Sequence, residues 1–340
     1  MIRRHSLTAQ AAYNDLIQLL LDEDASDIRG APAMRTINGR SYWYDRYRVG
    51  TAIRERFLGE DSDSLRARIG RANELREASA ERRRERARLV RLLRGERFLG
   101  LDATTGSLVS AFAKAGVFRL GGVLVGTIAF RLYEGELGLR LPLDQAATTN
   151  DIDVASFEKL SLALGETILS SVDEILDGFD FEPIPGLDPG KVWRWRQSRG
   201  ESRVEFLTPS FDDQEAVRDL VALGVSAQSL HHLNYLIAEP IHAAAVYRDG
   251  ILVRIPRPEH FAIHKLIVAD RRREGPDSSK ARKDLAQAEL LVSVLAEDRP
   301  TDLAEAYEDA LSRGPRWRQR ISASLERLPA TAAILHRLAT

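Results

Sequence analysis

Thr149-Asn-Asp-Ile-Asp-Val154 predicts a β-strand with two carboxylates on one face. Residues two apart in a strand point to the same side of the sheet, so Asp151 and Asp153 project together while their apolar neighbours face the core. Two adjacent carboxylates repel each other unless a cation lies between them. Hard oxygen ligands suit Mg²⁺, which also binds substrate phosphates. The pattern therefore predicts a metal site, the alternative being a strand edge with two solvated acids.

A hydrophobic segment that ends in a Gly-Thr turn precedes this strand. The apolar run predicts a buried strand over 117–125, followed by Gly126-Thr127 and a short helix from Ile128. Such a turn brings backbone N–H groups and a hydroxyl to a phosphate. The lysine of a Walker P-loop and the Gly-x-Gly-x-x-Gly spacing of a dinucleotide site are both missing. Gly126 and Thr127 are therefore candidate phosphate ligands of another kind of nucleotide site.

A third carboxylate follows on a later predicted strand. Glu205 lies among apolar residues in Arg203-Val-Glu-Phe-Leu207. On a strand next to that of Asp151 and Asp153 it would complete a two-metal site and activate the attacking oxygen. The alternative is a surface glutamate that pairs with Arg203.

Two predicted helices near the C-terminus carry unusual charges. The chain has 43 arginines but only six lysines, of which Lys265, Lys280 and Lys283 fall here. Lys265 lies among apolar residues, where a lone lysine is unusual, and its ammonium could neutralise a triphosphate. Removing it is expected to lower turnover more than stability. Lys280 and Asp284 share a helical face, and the alternative for that face is an ordinary i,i+4 salt bridge.

The order of these motifs resembles that of the DNA polymerase β-type nucleotidyltransferases. More narrowly, residues 105–295 resemble bacterial nucleotidyltransferase-fold proteins related to the abortive-infection (AbiEii/MenT-like) toxins. In that group a Gly-Gly-Thr or Gly-Ser turn precedes a Ser/Thr-x-Asp-Ile-Asp strand, as Val125-Gly-Thr127 precedes Thr149-Asn-Asp-Ile-Asp153 here. A late helix with a lysine and then a Lys-Asp pair complete the pattern, matched by Lys265 and by Lys283-Asp284.

Two features depart from the pattern of that group. Val125 stands where the first glycine of the turn is expected, and the 25 positions from Gly126 to Asp151 are many for the superfamily. Residues 134–147 are accordingly predicted to form an inserted loop.

The resemblance implies an α+β fold, a mixed sheet with flanking helices, that moves an NMP from an NTP to an acceptor hydroxyl. It implies two Mg²⁺ ions, with Mn²⁺ as the other option, held by Asp151, Asp153 and Glu205. It also implies that Asp284 positions Lys265 or the sugar. The implied nucleotide ligands are Gly126, Thr127, Thr149, Lys265 and Lys280.

The acceptor is the least determined part of this prediction. The toxins that the chain resembles point to RNA, such as a tRNA 3′ end, and to a cognate antitoxin as partner. A protein hydroxyl and a small molecule stay open as acceptors. A non-catalytic nucleic-acid-binding protein on the same scaffold is the alternative from another class.

The N-terminal part is rich in arginine and aromatic residues. Residues 37–50 predict short strands in which the two kinds alternate, and residues 64–97 predict a long helix with twelve arginines against five acids. Aromatic rings that stack on bases beside cations that hold phosphates form a single-strand nucleic-acid surface. The alternative is a small aromatic core and a solvated helix with i,i+3 pairs. The predicted nucleic-acid ligands are Tyr42, Trp43, Tyr44, Arg46, Arg48, Arg82, Arg83, Arg84 and Arg86.

Length and composition limit the remaining options. A chain of 340 residues can form two or three compact units. We predict an N-terminal region over 1–98, a catalytic core over 99–257 and a helical region over 258–340. The absence of cysteine excludes disulfides and thiolate metal sites. Neither a signal peptide nor a membrane span is predicted, so a cytoplasmic protein is expected.

Overall fold

The computed structural model describes most of the chain. The described residues are 3–24, 30–49, 52–141, 151–158, 167–186, 188, 190–212, 214–274 and 278–339. The helices and strands named below are numbered within these ranges. Thr149 and the side chain of Arg48, both predicted ligands, lie outside the described part.

The N-terminal part combines two helices with a small antiparallel sheet. Its elements are α1 (Leu7–Asp24), β1 (Ala31–Ile37), β2 (Arg40–Val49), β3 (Ala52–Glu60) and α2 (Asp63–Gly95). The strands follow one another in the order β1-β2-β3, and Asn38 and Gly39 make the first turn with positive φ. Ser62 caps α2 by accepting a hydrogen bond from the Leu65 N–H. The predicted long helix and short strands are thus confirmed.

Helices α1 and α2 pack against the central part of the chain. Tyr13 and Leu16 of α1 and Leu93 of α2 form one hydrophobic cluster with Ala244 and Val246. The Tyr13 hydroxyl also accepts a hydrogen bond from the Ala244 N–H at 3.1 Å. The N-terminal part therefore shares a core with the strands at 241–255, and the predicted division of the chain at residue 98 stays a prediction.

A mixed sheet forms the centre of the molecule. Its strands are β4 (Val123–Val125), β5 (Asp151–Ala155), β6 (Phe181–Pro183), β7 (Arg194–Gln197), β8 (Arg203–Pro209), β9 (Val217–Leu220) and β10 (Val225–Leu230). The order is β4-β5-β8-β10-β9, and β7 joins β8 to β6. Strands β5 and β8 run parallel, as do β8 and β10. The predicted strands at 151–154 and 204–207 are therefore confirmed.

Helices from the central and C-terminal parts of the sequence flank this sheet. They are α3 (Ala103–Ala115), α4 (Gly126–Glu136), α5 (Val172–Asp177), α6 (Leu233–Leu236), α7 (Pro258–Arg271), α8 (Ser278–Asp298), α9 (Pro300–Ser312), α10 (Pro315–Leu325) and α11 (Pro329–Leu338). A separate antiparallel hairpin is formed by β11 (Ile241–Ala245) and β12 (Ile251–Ile255). Phe206 of the sheet, Phe261 of α7 and Leu291 of α8 belong to one hydrophobic cluster. No helix within the described ranges is long and apolar enough to cross a membrane.

Two local predictions in the central part of the chain are wrong. The strand predicted over 117–125 is reduced to β4, because the chain turns after Gly116 and Gly121, which both have positive φ. Helix α3 begins at Ala103, where Asp102 caps it by accepting from the Thr104 and Thr105 N–H groups. The loop predicted over 134–147 begins inside α4.

Glu134 joins α4 to the N-terminal segment. Its Oε2 accepts a hydrogen bond from the Leu99 N–H at 2.5 Å, and its Oε1 lies 3.0 Å from Nε2 of His5. Burial raises the pKa of Glu134 to about 7 and lowers the pKa of His5 to about 4. Folding therefore favours the neutral forms of Glu134 and His5 relative to the unfolded chain.

Glu134→Gln is expected to remove part of the pH dependence of stability. In the folded protein the pKa of Glu134 lies above its ordinary value of 4.5. The contribution of Glu134 to the free energy of unfolding therefore falls as the pH rises from 4.5 through about 7. Glutamine keeps the shape of the side chain but cannot ionise. Urea unfolding between about pH 5 and about pH 8 should show a smaller loss of stability in the variant. Parallel curves for the two proteins would contradict this role of Glu134.

Candidate active site

The predicted carboxylates lie on one face of the central sheet. Asp153 stands opposite Val125 of β4 on one side and opposite Glu205 of β8 on the other. Side chains of directly opposite residues share a face, and so do residues two apart in a strand. Asp151, Asp153 and Glu205 therefore project together. The residues that alternate with them are buried in the core: Ile152, Val154, Val204 and Phe206.

The three carboxylates influence one another electrostatically. Burial and then the charges of Glu205 and Asp151 raise the pKa of Asp153 to about 7. Burial and then Asp151 raise the pKa of Glu205. Lys265 and Arg272 oppose the shift at Asp153. The site therefore concentrates negative charge that a bound cation would relieve.

The ligand chemistry suits a divalent cation, but the side chains are not already gathered around one. Three carboxylates on one face supply the hard oxygen donors that Mg²⁺ and Mn²⁺ prefer. Within the described residues, however, no three His, Cys, Asp or Glu side chains form a group that could hold a metal ion as it stands. The two-ion arrangement therefore stays a prediction that rests on donor type and shared face.

Gly126 brings the first turn of α4 against the carboxylates. Its φ is +67°, a conformation that L side chains rarely adopt, and a Cβ atom there would lie 2.3 Å from Oδ2 of Asp153. Strand β4 ends at Val125 and α4 begins at Gly126. The N-terminal N–H groups of an 11-residue helix thus lie next to Asp153, where they can bind an anionic group.

A buried ion pair lies behind the carboxylates. Lys265 of α7 donates to Oδ1 of Asp284 of α8 at 2.5 Å, and Arg272 donates to Oδ2 at 2.8 Å. Lys265 is 8% exposed and Asp284 2%. The contact is compatible with the predicted positioning of Lys265 by Asp284, whose two oxygens are held by Lys265 and Arg272. Arg272 was not among the predicted residues.

Lys283 places a second cation at the glycine turn. Its Nζ donates to Oγ1 of Thr127 at 3.1 Å. Burial and then the charge of Lys265 lower the pKa of Lys283. The predicted nucleotide ligand on this helix was Lys280, which is exposed and whose charge acts on Glu205. The Lys-Asp pair was the sequence signal that could have singled out Lys283.

The aromatic residues of the N-terminal sheet are divided between its two faces. Trp43 turns inwards, where its Nε1 donates to Asp61 at 2.9 Å and its ring packs beside Leu65 and Ile69 of α2. Trp43 thus packs against α2, and its role as a nucleic-acid ligand stays a prediction. Tyr42 and Tyr44 contact Phe57 on the other face, with ring centroids 6.0 and 5.5 Å apart.

Several of the predicted arginine ligands form ion pairs within the protein. Arg46 lies 3.7 Å from Glu55. Arg83 and Arg86 both contact Asp249 at 3.1 Å, and the Arg86 side chain is only 5% exposed. Arg86 therefore fastens α2 to the β11–β12 turn and is not available to a ligand. Arg82 is partly buried, whereas Arg84 is exposed.

A family model matches the central and C-terminal parts of the chain. Residues 103–312 match the family model described as Nucleotidyltransferase, a span that covers more than half of the 340 residues. The chain belongs to this nucleotidyltransferase family. Comparison with curated proteins finds no match. The relation to the AbiEii/MenT-like toxins and a bacterial origin stay predictions.

Proposed function

We propose that the protein transfers a nucleoside monophosphate from an NTP to an acceptor hydroxyl with release of pyrophosphate. The observation that carries the proposal is the alignment of Asp153 with Glu205 beside the N-terminus of α4. The carboxylates supply ligands for a divalent cation, and the helix terminus with Lys283 supplies an anion site. Membership of the nucleotidyltransferase family supports the reaction class.

The proposed reaction assigns each group a separate task. The N–H groups of Gly126 and Thr127, with the Lys283 ammonium, bind the β- and γ-phosphates. The acceptor oxygen forms a bond to the α-phosphorus while the bond to the bridging oxygen of the pyrophosphate breaks. Glu205, whose pKa is raised, takes the proton of the acceptor hydroxyl. Lys265, fixed by Asp284, offsets the charge that develops on the pyrophosphate.

A divalent cation would be held by Asp151, Asp153 and Glu205, where it would neutralise phosphate charge and acidify the attacking hydroxyl. We propose Mg²⁺, with Mn²⁺ as the other ion to test. The acceptor that we propose is RNA, and a toxin role with an antitoxin partner goes with it. These assignments are supported by the resemblance of the motifs and by the arginines discussed below.

The function is tested by incubating the protein with each NTP labelled at the α-phosphate, Mg²⁺, and total cellular RNA or protein. We expect label in the RNA that stays with the RNA during denaturing electrophoresis. Label in protein or in a small molecule would reject RNA as the acceptor. Absence of both label transfer and pyrophosphate release with every acceptor would reject catalysis in favour of a non-catalytic binding protein.

Lys283→Ala is expected to weaken NTP binding with little effect on stability. The ammonium reaches Thr127 at the phosphate turn, and its removal takes one charge-assisted contact from the triphosphate. We expect KM for the NTP to rise by roughly tenfold, which corresponds to about 1.4 kcal/mol. Arg282→Ala, at an exposed cation on the same helix, is the matched control. An equal rise of KM in both variants would place the phosphates elsewhere.

A further inference from the structure

Three arginines continue the active-site face beyond Glu205. Arg194 of β7 stands opposite Glu205, and Arg196 of β7 stands opposite Arg203 of β8. Opposite residues share a face, and Arg203 and Glu205 are two apart in one strand. The three arginines therefore project from the same face as the carboxylates. The charges of Arg194 and Arg203 lower the pKa of Glu205, which agrees with this placement.

Among the described residues, these three arginines take no part in the ion pairs that link elements of the fold. In the described part of the chain none of the three forms an ion pair, and Nε of Arg194 is buried with no hydrogen-bond partner. The Arg194 guanidinium lies over the ring of Trp193, 4.9 Å from its centroid. Arg196 and Arg203 stand directly opposite each other on neighbouring strands. Like charges in such positions are destabilising. An anion bound between them would remove that cost.

The position of the arginines relates them to the acceptor rather than to the NTP. The proposed triphosphate site at Gly126 and Lys283 lies at the β4 edge of the carboxylates, and the arginines lie at the β7 edge. In phosphoryl transfer the attacking and leaving oxygens are roughly in line across the phosphorus. Pyrophosphate that leaves towards Lys283 therefore requires an acceptor that arrives from the side of β7.

We propose that Arg194, Arg196 and Arg203 form an acceptor subsite that binds the backbone phosphates of a single-stranded nucleic-acid end. This inference rests on the proposed function. Guanidinium groups bind phosphates through two parallel N–H donors, and Trp193 holds Arg194 in a fixed orientation for such a contact. Glu182 of β6 stands beyond Arg196 and forms no ion pair with it in the described residues. A neutral acceptor would leave the three cations without a ligand.

The subsite is tested with the full chain and a fluorescein-labelled single-stranded RNA of about twelve nucleotides, a length within the site sizes of single-strand-binding folds. Arg196→Gln/Arg203→Gln removes two exposed arginines, and Arg194→Gln removes the stacked one. Arg316→Gln/Arg327→Gln, which removes two exposed arginines of the C-terminal region, is the matched control. Fluorescence anisotropy over a range of salt concentrations gives the affinity and its salt dependence. Melting temperatures of all variants check that the fold is kept.

The double variant is expected to weaken RNA binding at least tenfold and to flatten the salt slope by roughly 0.7 for each lost phosphate contact. KM for the NTP should stay unchanged, as should RNA binding by the C-terminal control. Wild-type protein that does not bind the RNA, or equal losses in the C-terminal control, would overturn the subsite. If the double variant transfers label to RNA with an unchanged KM for the RNA, the subsite is overturned but the proposed function is not. Absence of NTP-dependent label transfer by the wild-type protein would instead overturn the proposed function.

Discussion

Asp153→Asn is expected to abolish nucleotidyl transfer without lowering stability. Asp153 lies at the centre of the carboxylate face, against the helix terminus at Gly126. The amide keeps the shape but loses the negative charge needed for a cation. We expect turnover to fall by about 10³-fold or more, about 4 kcal/mol in activation free energy. Because burial and two neighbouring carboxylates raise the pKa of Asp153 to about 7, the loss of its charge should leave the melting temperature at about pH 8 unchanged or higher.

Asp177→Asn is the control for this experiment, since Asp177 is exposed at the end of α5. It should retain wild-type turnover. Turnover of the Asp153 variant near that of the wild type would remove the carboxylate face from the chemistry. A lowered melting temperature together with lost activity would indicate that Asp153 serves packing instead.

Asp284→Ala is expected to cause the largest loss of stability among single substitutions in the site. Asp284 is buried and accepts from both Lys265 and Arg272. Removal of one partner leaves the Lys265 charge without compensation in a buried setting, which costs about 3–5 kcal/mol. Denaturant unfolding should show this loss, and turnover should fall as Lys265 leaves its position.

The exposed pair of Arg313 and Asp309 provides the comparison, because Asp309→Ala should cost less than about 1 kcal/mol. The same geometry changes the expectation for Lys265→Ala. The sequence predicts a loss of turnover that exceeds the loss of stability, whereas a lysine paired to a buried aspartate should lose both when it is removed. A second variant, Lys265→Ala/Asp284→Ala, should recover part of the stability and none of the turnover. Failure to recover stability would show that the two charges do not act as a pair.

Local patterns predicted the elements whose residues alternate regularly. The strand of Asp151 and Asp153, the strand of Glu205 and the long helix α2 follow from periodicity within one segment. The same reasoning failed at 117–125, because an apolar run is equally suitable for a buried turn. Val117 and Leu120 are fully buried there, although neither is in a strand. It also could not assign a face to Trp43, because only the docking of α2 shows which side of the small sheet is covered.

The sequence by itself determined that Asp151 and Asp153 share one side of a strand, because a two-residue repeat is a property of the strand alone. The tertiary structure decided which cations meet these acids. Lys283 reaches Thr127 across 156 positions of the chain, and Arg194 meets Glu205 through the register of β7 and β8. Charged side chains of either sign occur throughout this sequence, and helix packing and strand register select the pairs that come together. For this reason the carboxylates could be named from the sequence, whereas the contact of Lys283 with Thr127 and the arginines beside Glu205 could not.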